Sequence, residues 1–211
     1  MKGKRIQIMK TEIMEQYKLW CEKATEDADV KAELEAIASD EAKIEDAFYR
    51  NLEFGTGGLR GVIGAGTNRM NIYTVAKASQ GLANYVVNNF EEGKRSIAVS
   101  YDSRIKSDLF AQIAAGIMVT ASHNPSKYNG YKVYGADGCQ ITTKAAEIIL
   151  AEIEKIDLFA DVKRGDFKTL LDEGKISYID EQIYTDFTEE VKKQSLLGDA
   201  DEIDKFGTEN C

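Results

Sequence analysis

Two short strand patterns, separated by a single helix's length of chain, set the tightest limit on how this sequence folds. Residues 96–101 alternate, with Ile97, Val99 and Tyr101 on one side and Ala98 and Ser100 on the other, which is the two-residue period of a strand. Residues 117–121 are largely apolar on both faces, the pattern of a central strand. Between them, residues 107–115 read as a short helix, with Leu109, Phe110, Ile113 and Ala114 on one face and Gly116 placed to end it. The link of about fourteen residues is close to the minimum for a parallel crossover. If the strands are parallel, their C-terminal ends share one rim of the sheet. Asp102, Ser103 and Arg104 then face Ser122, His123 and Asn124 across that rim, where open α/β sheets bind ligands.

The rest of the chain supports an α/β reading. Residues 10–50 are helical in pattern: Ile13, Tyr17 and Trp20 fall at spacings of four and three. A second stretch carries Val30, Leu34, Ile37, Ile44, Ala47 and Phe48 against a charged opposite side, as expected of a helix docked on a larger body. Six glycines between Gly55 and Gly66 mark residues 54–74 as a loop system. Helical spacing resumes over 72–85, a third strand is expected at 131–134, and a helix at 144–156. From residue 157 the chain is acidic and weakly patterned, with one more helix expected at 184–193. There is no internal repeat, and Pro125 is the single proline.

Composition narrows the partners. A chain of 211 residues, 43% apolar and 30% charged, is an ordinary globular protein of one domain or one domain and a fragment. A net charge of −9 and a pI near 4.8 disfavour nucleic acid and anionic lipid as general partners. Charged residues interrupt the first twenty positions, so no signal-peptide core is expected there. No segment is long and apolar enough to span a bilayer, and a cytoplasmic location is the expectation. The three cysteines, Cys21, Cys139 and Cys211, fit neither a disulfide framework nor a zinc site.

Three stretches carry chemistry, each with two open readings. Ser122, just past a buried strand and flanked by His123 and Asn124, suits covalent chemistry if a base or metal activates its hydroxyl; an ordinary turn with a solvated histidine is the other reading. The glycines of the 55–66 loop match neither a Walker A loop nor a dinucleotide fingerprint. Their backbone N–H groups can still cradle an anion, and Arg60 can pair bidentately with phosphate; the other reading is a structural turn with Arg60 on the surface. Lys132, on the third strand between Tyr131 and Tyr134, either snorkels to solvent or faces a pocket as a base.

Taken together and in order, residues 54–61 (Phe-Gly-Thr-Gly-Gly-Leu-Arg-Gly), 101–104 (Tyr-Asp-Ser-Arg), 120–125 (Thr-Ala-Ser-His-Asn-Pro) and 129–132 (Asn-Gly-Tyr-Lys) resemble the α-D-phosphohexomutase family. Residues 135–141 resemble its bacterial phosphoglucomutase branch. The likeness is dense over 54–142. It implies a three-layer α/β/α domain with a mixed, mostly parallel sheet, and an enzyme that interconverts hexose 1-phosphate and hexose 6-phosphate. Ser122 would carry the phosphoryl group, which passes through a bisphosphate intermediate. His123 and Lys132 would handle protons, and Arg60 would stabilise the transferring group. Thr56, Gly57, Arg60, Arg104 and Asn124 would bind phosphate. Mg²⁺ would bridge the serine phosphate, with Ser122 as its one ligand in this chain, and glucose 1,6-bisphosphate would act as activator. Positioning and charge neutralisation, the needs of phosphoryl transfer, agree with such a residue set.

The resemblance also implies missing parts. The family enzyme has four domains, and the loops that complete the metal site, read the sugar and grip the second phosphate lie in its later ones. Within the domain, a strand, a proline-bearing loop and a helix expected before the serine strand are absent, the chain running from Ala114, Ala115 and Gly116 into Ile117. The expected organisation is a helical extension at 1–50, the phosphoserine domain at 51–195, and a truncated second domain or disordered tail at 196–211. A sheet short of one strand has a gap or an exposed edge, and the chain alone is expected to be inactive, with complementing domains or an oligomer as partners. The alternatives are a non-catalytic sugar-phosphate binding module and a partner-dependent interaction module.

Overall fold

Spacing in the first fifty residues becomes three helices. The structure, a computed structural model, describes residues 2–55, 57–113, 117–135 and 137–194. Helix α1 (Lys2–Lys23) buries Ile13, Tyr17 and Trp20 along one stripe. Asp27 caps α2 (Ala28–Ala36) by accepting from the N–H groups of Asp29 and Val30, and Asp40 caps α3 (Glu41–Phe48) by accepting from Lys43. Such caps satisfy donors that a helix start leaves unpaired. The Trp20 ring meets Phe48, Tyr73 and Phe159 edge-on at 5.4 to 5.7 Å, a favoured aromatic geometry. These contacts join the N-terminal helices to α4 (Ile72–Asn89), whose start is closed by a capping box between Asn71 and Thr74.

A five-stranded sheet runs in the order β1-β2-β5-β4-β3. Its strands are β1 (Phe54–Gly55), β2 (Gly58–Val62), β3 (Ser100–Tyr101), β4 (Ile117–Val119) and β5 (Tyr128–Val133). The chain is α/β with a mixed sheet, consistent with a three-layer α/β/α domain. The expected parallel pair is there: β3 lies parallel to β4, with Ser100 opposite Met118 and Tyr101 opposite Val119, and α5 (Ser107–Ile113) connects them. The other three pairings are antiparallel, which corrects the expectation of a mostly parallel sheet. The eight residues between β4 and β5 and the two between β1 and β2 are too few to cross back over the sheet, so those strands must reverse.

Alternation sorts the sheet residues onto two faces. Leu59, Tyr131 and Val119 share one cross-strand row, with Val133 and Ile117 on the same side, and all five are buried. Helix α4 reaches this side, where the Ser79 hydroxyl donates to the Tyr131 hydroxyl at 3.3 Å. Burial in that setting raises the Tyr131 phenol well above its ordinary range. Arg60, Gly130 and Lys132 alternate to the other side; Arg60 is exposed and Lys132 half-buried.

Several expected boundaries move. The strand expected at 96–101 forms only at Ser100–Tyr101, because the strand rungs with β4 are two. Ser100 and Tyr101 are both exposed at the sheet's edge, in line with a sheet lacking a neighbour on that side. The 54–74 loop system contains β1 and β2, strands that glycine content hid: β2 forms by pairing with β5, and β1 by pairing with β2. Gly58 shows why glycine is required there: its φ is +139°, and a Cβ would lie 1.7 Å from the Tyr131 carbonyl oxygen. The expected helices appear as α6 (Thr143–Glu154) and α8 (Gln182–Lys192). The junction at 114–116, where the family's extra strand would belong, lies outside the described residues.

The described backbone gathers into two compact units that divide between Arg164 and Gly165. The second holds α7 (Phe167–Asp172), capped by Asp166, and α8. Neither helix has a buried residue, and α8 exposes Ile183, Tyr184, Phe187 and Val191. Among the described residues no helix is long and apolar enough to cross a membrane.

Candidate active site

The parallel pair delivers two loops to one rim of the sheet. As β3 ends, the Asp102 N–H donates to the Val119 carbonyl at 3.2 Å, so the first loop leaves level with the end of β4. The Asp102 carboxylate then accepts from the Arg104 N–H at 3.0 Å and the Ser107 hydroxyl at 2.9 Å, and pairs with Arg104 Nε at 3.3 Å. Burial would push this carboxyl up. Hydrogen bonds from Thr120, the Arg104 backbone and Ser107, with the nearby Arg104 charge, outweigh it and hold Asp102 below the usual carboxylate range.

The second loop starts at Thr120, whose hydroxyl oxygen accepts from the Ser122 N–H at 2.9 Å. Ser122 has φ +55°, the left-handed region that non-glycine residues seldom occupy and that recurs at functional sites. Its carbonyl accepts from Arg104 Nη2. The turn continues through the Asn124 N–H to the Ala121 carbonyl at 3.1 Å and the Tyr128 N–H to the Pro125 carbonyl at 2.9 Å. Asn129, fully buried, ties the loops together by donating to the Ile105 carbonyl at 3.1 Å and to the Ser107 hydroxyl at 3.0 Å.

Between the loops lies an open cavity of about 460 Å³ lined by Asp102, Ser103, Arg104, Ile105, Ser122, Asn124 and Ser126. Of the residues singled out from sequence, it brings together Asp102, Ser103, Arg104, Ser122 and Asn124. His123 is exposed beside it. Arg60 pairs with Gly130, and Gly130 accepts from the Thr120 N–H at 3.0 Å; two strand spacings put Arg60 about 10 Å from Thr120 along that row. Lys132 pairs with Met118 and Gly58, deeper along the sheet. Gly57 accepts from the Val133 N–H at 3.0 Å, and Val133 pairs with Ile117. Gly57 is thus level with the start of β4 and two strands across from it, away from the rim that carries Ser122. Thr56 lies outside the described residues.

Sequence reasoning missed Ser107, and it gave Thr120 and Asn129 no role of their own within the motifs that contain them. Each is a polar side chain fully or largely buried at the rim, and a buried polar group requires a partner. The donor set does not fit a resident Mg²⁺ by itself. Asp102 is the one carboxylate lining the cavity, its oxygens are already engaged, and among the described residues no group of three or more His, Cys, Asp or Glu side chains comes together; Mg²⁺ wants several hard oxygens in octahedral array.

Fold and rim together define an α/β domain that presents a hydroxyl on a strained turn at the C-terminal ends of a parallel strand pair. The model of the phosphoglucomutase/phosphomannomutase alpha/beta/alpha domain I matches residues 51–115 and 111–159, and the chain belongs to that family, by its domain I. A phosphoglucomutase of Staphylococcus saprophyticus is 32% identical over 186 residues, covering 72% of this chain and 33% of the relative. One of Staphylococcus aureus (strain bovine RF122 / ET3-1) is 37% identical over 171 residues, covering 65% and 30%. The chain therefore spans about a third of the length of these curated relatives. A solved structure described as a phosphomannomutase from Thermus thermophilus aligns with a TM-score of 0.45 and 24% identity over 56% of this chain and 32% of its own.

Proposed function

We propose that this chain is the phosphoserine-bearing domain of a phosphohexomutase, with Ser122 as the group that carries phosphate and a hexose phosphate as the substrate. The observation that supports this most is the state of Ser122: its N–H and C=O are both held, by Thr120 and Arg104, while the residue is exposed at the cavity. Phosphoryl transfer depends on such positioning more than on a strong nucleophile.

In the loading step, the Ser122 oxygen forms a bond to phosphorus of a hexose bisphosphate, and the bond from that phosphorus to the sugar oxygen breaks. The serine proton ends on the released sugar oxygen. His123, next in the chain, and Lys132, on the same strand system, serve as the proton-handling groups. Arg60 stabilises charge on the transferring oxygens as an oriented cation. Transfer in the other sense to a different sugar hydroxyl completes the interchange of 1- and 6-phosphates. Mg²⁺, when bound to the serine phosphate, would neutralise part of its charge; its remaining ligands are not supplied by this rim. The isolated chain is expected to load Ser122 and not to turn over.

Incubation with glucose 1,6-bisphosphate followed by intact-mass measurement tests the reading. A gain of one phosphate, absent in Ser122→Ala, supports it. No gain in the wild-type chain, under conditions where a full-length phosphoglucomutase is loaded, sinks it. Robust turnover in a coupled mutase assay would overturn the expectation of inactivity.

A further inference from the structure

We propose that Arg104 is a positioning residue: its guanidinium clamps the Ser122 turn from the adjoining loop and acts on phosphoryl transfer through Ser122, not by touching phosphate. Each of its three nitrogens is committed to the protein. Nε pairs with Asp102 at 3.3 Å, Nη2 donates to the Ser122 carbonyl, and Nη1 makes longer contacts with the Pro125 and Tyr128 carbonyls at 3.4 and 3.5 Å. The side chain is 17% exposed. Guanidinium is the one side-chain group with a rigid fork of donors able to reach a carboxylate and several carbonyls at once.

The clamp is placed where the backbone needs it. A serine in the left-handed region returns to extended geometry unless its surroundings hold it. Here two contacts do so from opposite ends of the residue: Thr120 takes the N–H and Arg104 takes the carbonyl. Both lead to Asp102, which pairs with Arg104 and is hydrogen-bonded by Thr120. Asp102 thus serves as the shared anchor of the two grips. Arg104 lines the cavity, but a phosphate arriving there would compete with bonds already formed inside the protein.

The kinetic half of this inference rests on Ser122 being the phosphoryl carrier; the geometric half does not. The test compares the 211-residue wild type with Arg104→Gln and Arg104→Lys by hydrogen exchange of residues 120–128 and by the concentration dependence of Ser122 loading from glucose 1,6-bisphosphate. The clamp predicts at least tenfold faster exchange in 120–128 for both variants, with exchange in α1 and α4 unchanged. It also predicts a tenfold or greater fall in maximal loading rate at an unchanged half-saturating concentration. Lysine does not rescue, because a single ammonium lacks the fork. Unchanged exchange in 120–128, with a raised half-saturating concentration and rescue by lysine, would overturn the clamp and make Arg104 a phosphate ligand. If Arg104→Gln fails to fold, exchange in Arg104→Lys decides by the same criterion. If the wild type takes no phosphate, the mutase reading falls, and exchange still judges the clamp.

Discussion

The Lys106 ammonium lies 2.8 Å from the Asp27 carboxylate and 2.9 Å from that of Asp29, pinning the loop that carries Arg104 to the start of α2. Lys106 has φ +61°, so this loop, like the serine turn, is held in an uncommon backbone state. The pair is well shielded, with 17% of the Lys106 side chain and 8% of Asp27 exposed.

Lys106→Met should therefore destabilise the chain. Breaking a buried pair by removing one partner costs about 3–5 kcal/mol, and the partial exposure here reduces the expectation to about 2 kcal/mol. Urea unfolding measures it; a change below about 0.5 kcal/mol, typical of an exposed pair, would show that the contact contributes little.

The same pair sets a pH dependence. Burial acts to raise the Asp27 carboxyl, but Lys106 and the N–H groups of Asp29 and Val30 prevail and lower it. A carboxyl lowered in the folded state contributes stability above its unfolded value, near 3.9. That stability is lost as pH falls through the folded value. Wild type should lose stability below about pH 4 more steeply than Lys106→Met, as read from unfolding midpoints across an acid series. Equal slopes would contradict the assignment. At the alkaline end, the Lys106 pKa is raised: burial alone would lower it, but hydrogen bonds with Asp27 and Asp29 prevail. Its contribution is thus lost only as pH rises through that elevated value.

Trp20→Ala should cost roughly 3–5 kcal/mol, the range for removing a large aromatic from a packed core. Trp20 is 1% exposed and touches three aromatic rings from α3, α4 and residue 159. It is also the single tryptophan, so its emission reports unfolding in the other variants. A loss under about 1 kcal/mol would mean the N-terminal helices are docked elsewhere.

Ser122→Gly separates stability from chemistry. Left-handed geometry costs a non-glycine residue about 1–2 kcal/mol, and glycine returns about 0.5–1 kcal/mol of that through its freer unfolded chain. The variant should be as stable as wild type or more so by about 0.5 kcal/mol, while phosphate loading disappears. A clear drop in melting temperature would place the serine hydroxyl in a structural role.

Arg60→Gln should lower the rate of Ser122 loading by about 10²–10³, the loss seen when one oriented electrostatic donor is removed, with the melting temperature unchanged. The Arg60 side chain is exposed on β2, so its removal takes little packing with it. Unaltered loading kinetics would remove it from the site.

Much of the helical framework was legible because its signal is local. Ile13, Tyr17 and Trp20 repeat within two turns, and all three are buried as the spacing predicts. The parallel pairing of β3 with β4 was legible from the length and helicity of the link. The strands β1 and β2 were not, since glycines carry no alternation and these strands exist only because β5 offers β2 a ladder and β2 offers one to β1. The short extent of β3 was hidden for the same reason: a strand lasts only as far as its neighbour pairs with it.

By itself, the sequence determined which reactive groups exist and in what order, from Arg60 through Asp102 and Arg104 to Ser122 and Lys132, because order and local period are written within a few residues of each other. Tertiary structure alone decided what those groups touch. Arg104 meets the Ser122 carbonyl across 18 residues and Lys106 meets Asp27 across 79. A guanidinium or ammonium has many acceptors open to it in an unfolded chain, and only the packing of sheet, loops and helices selects one.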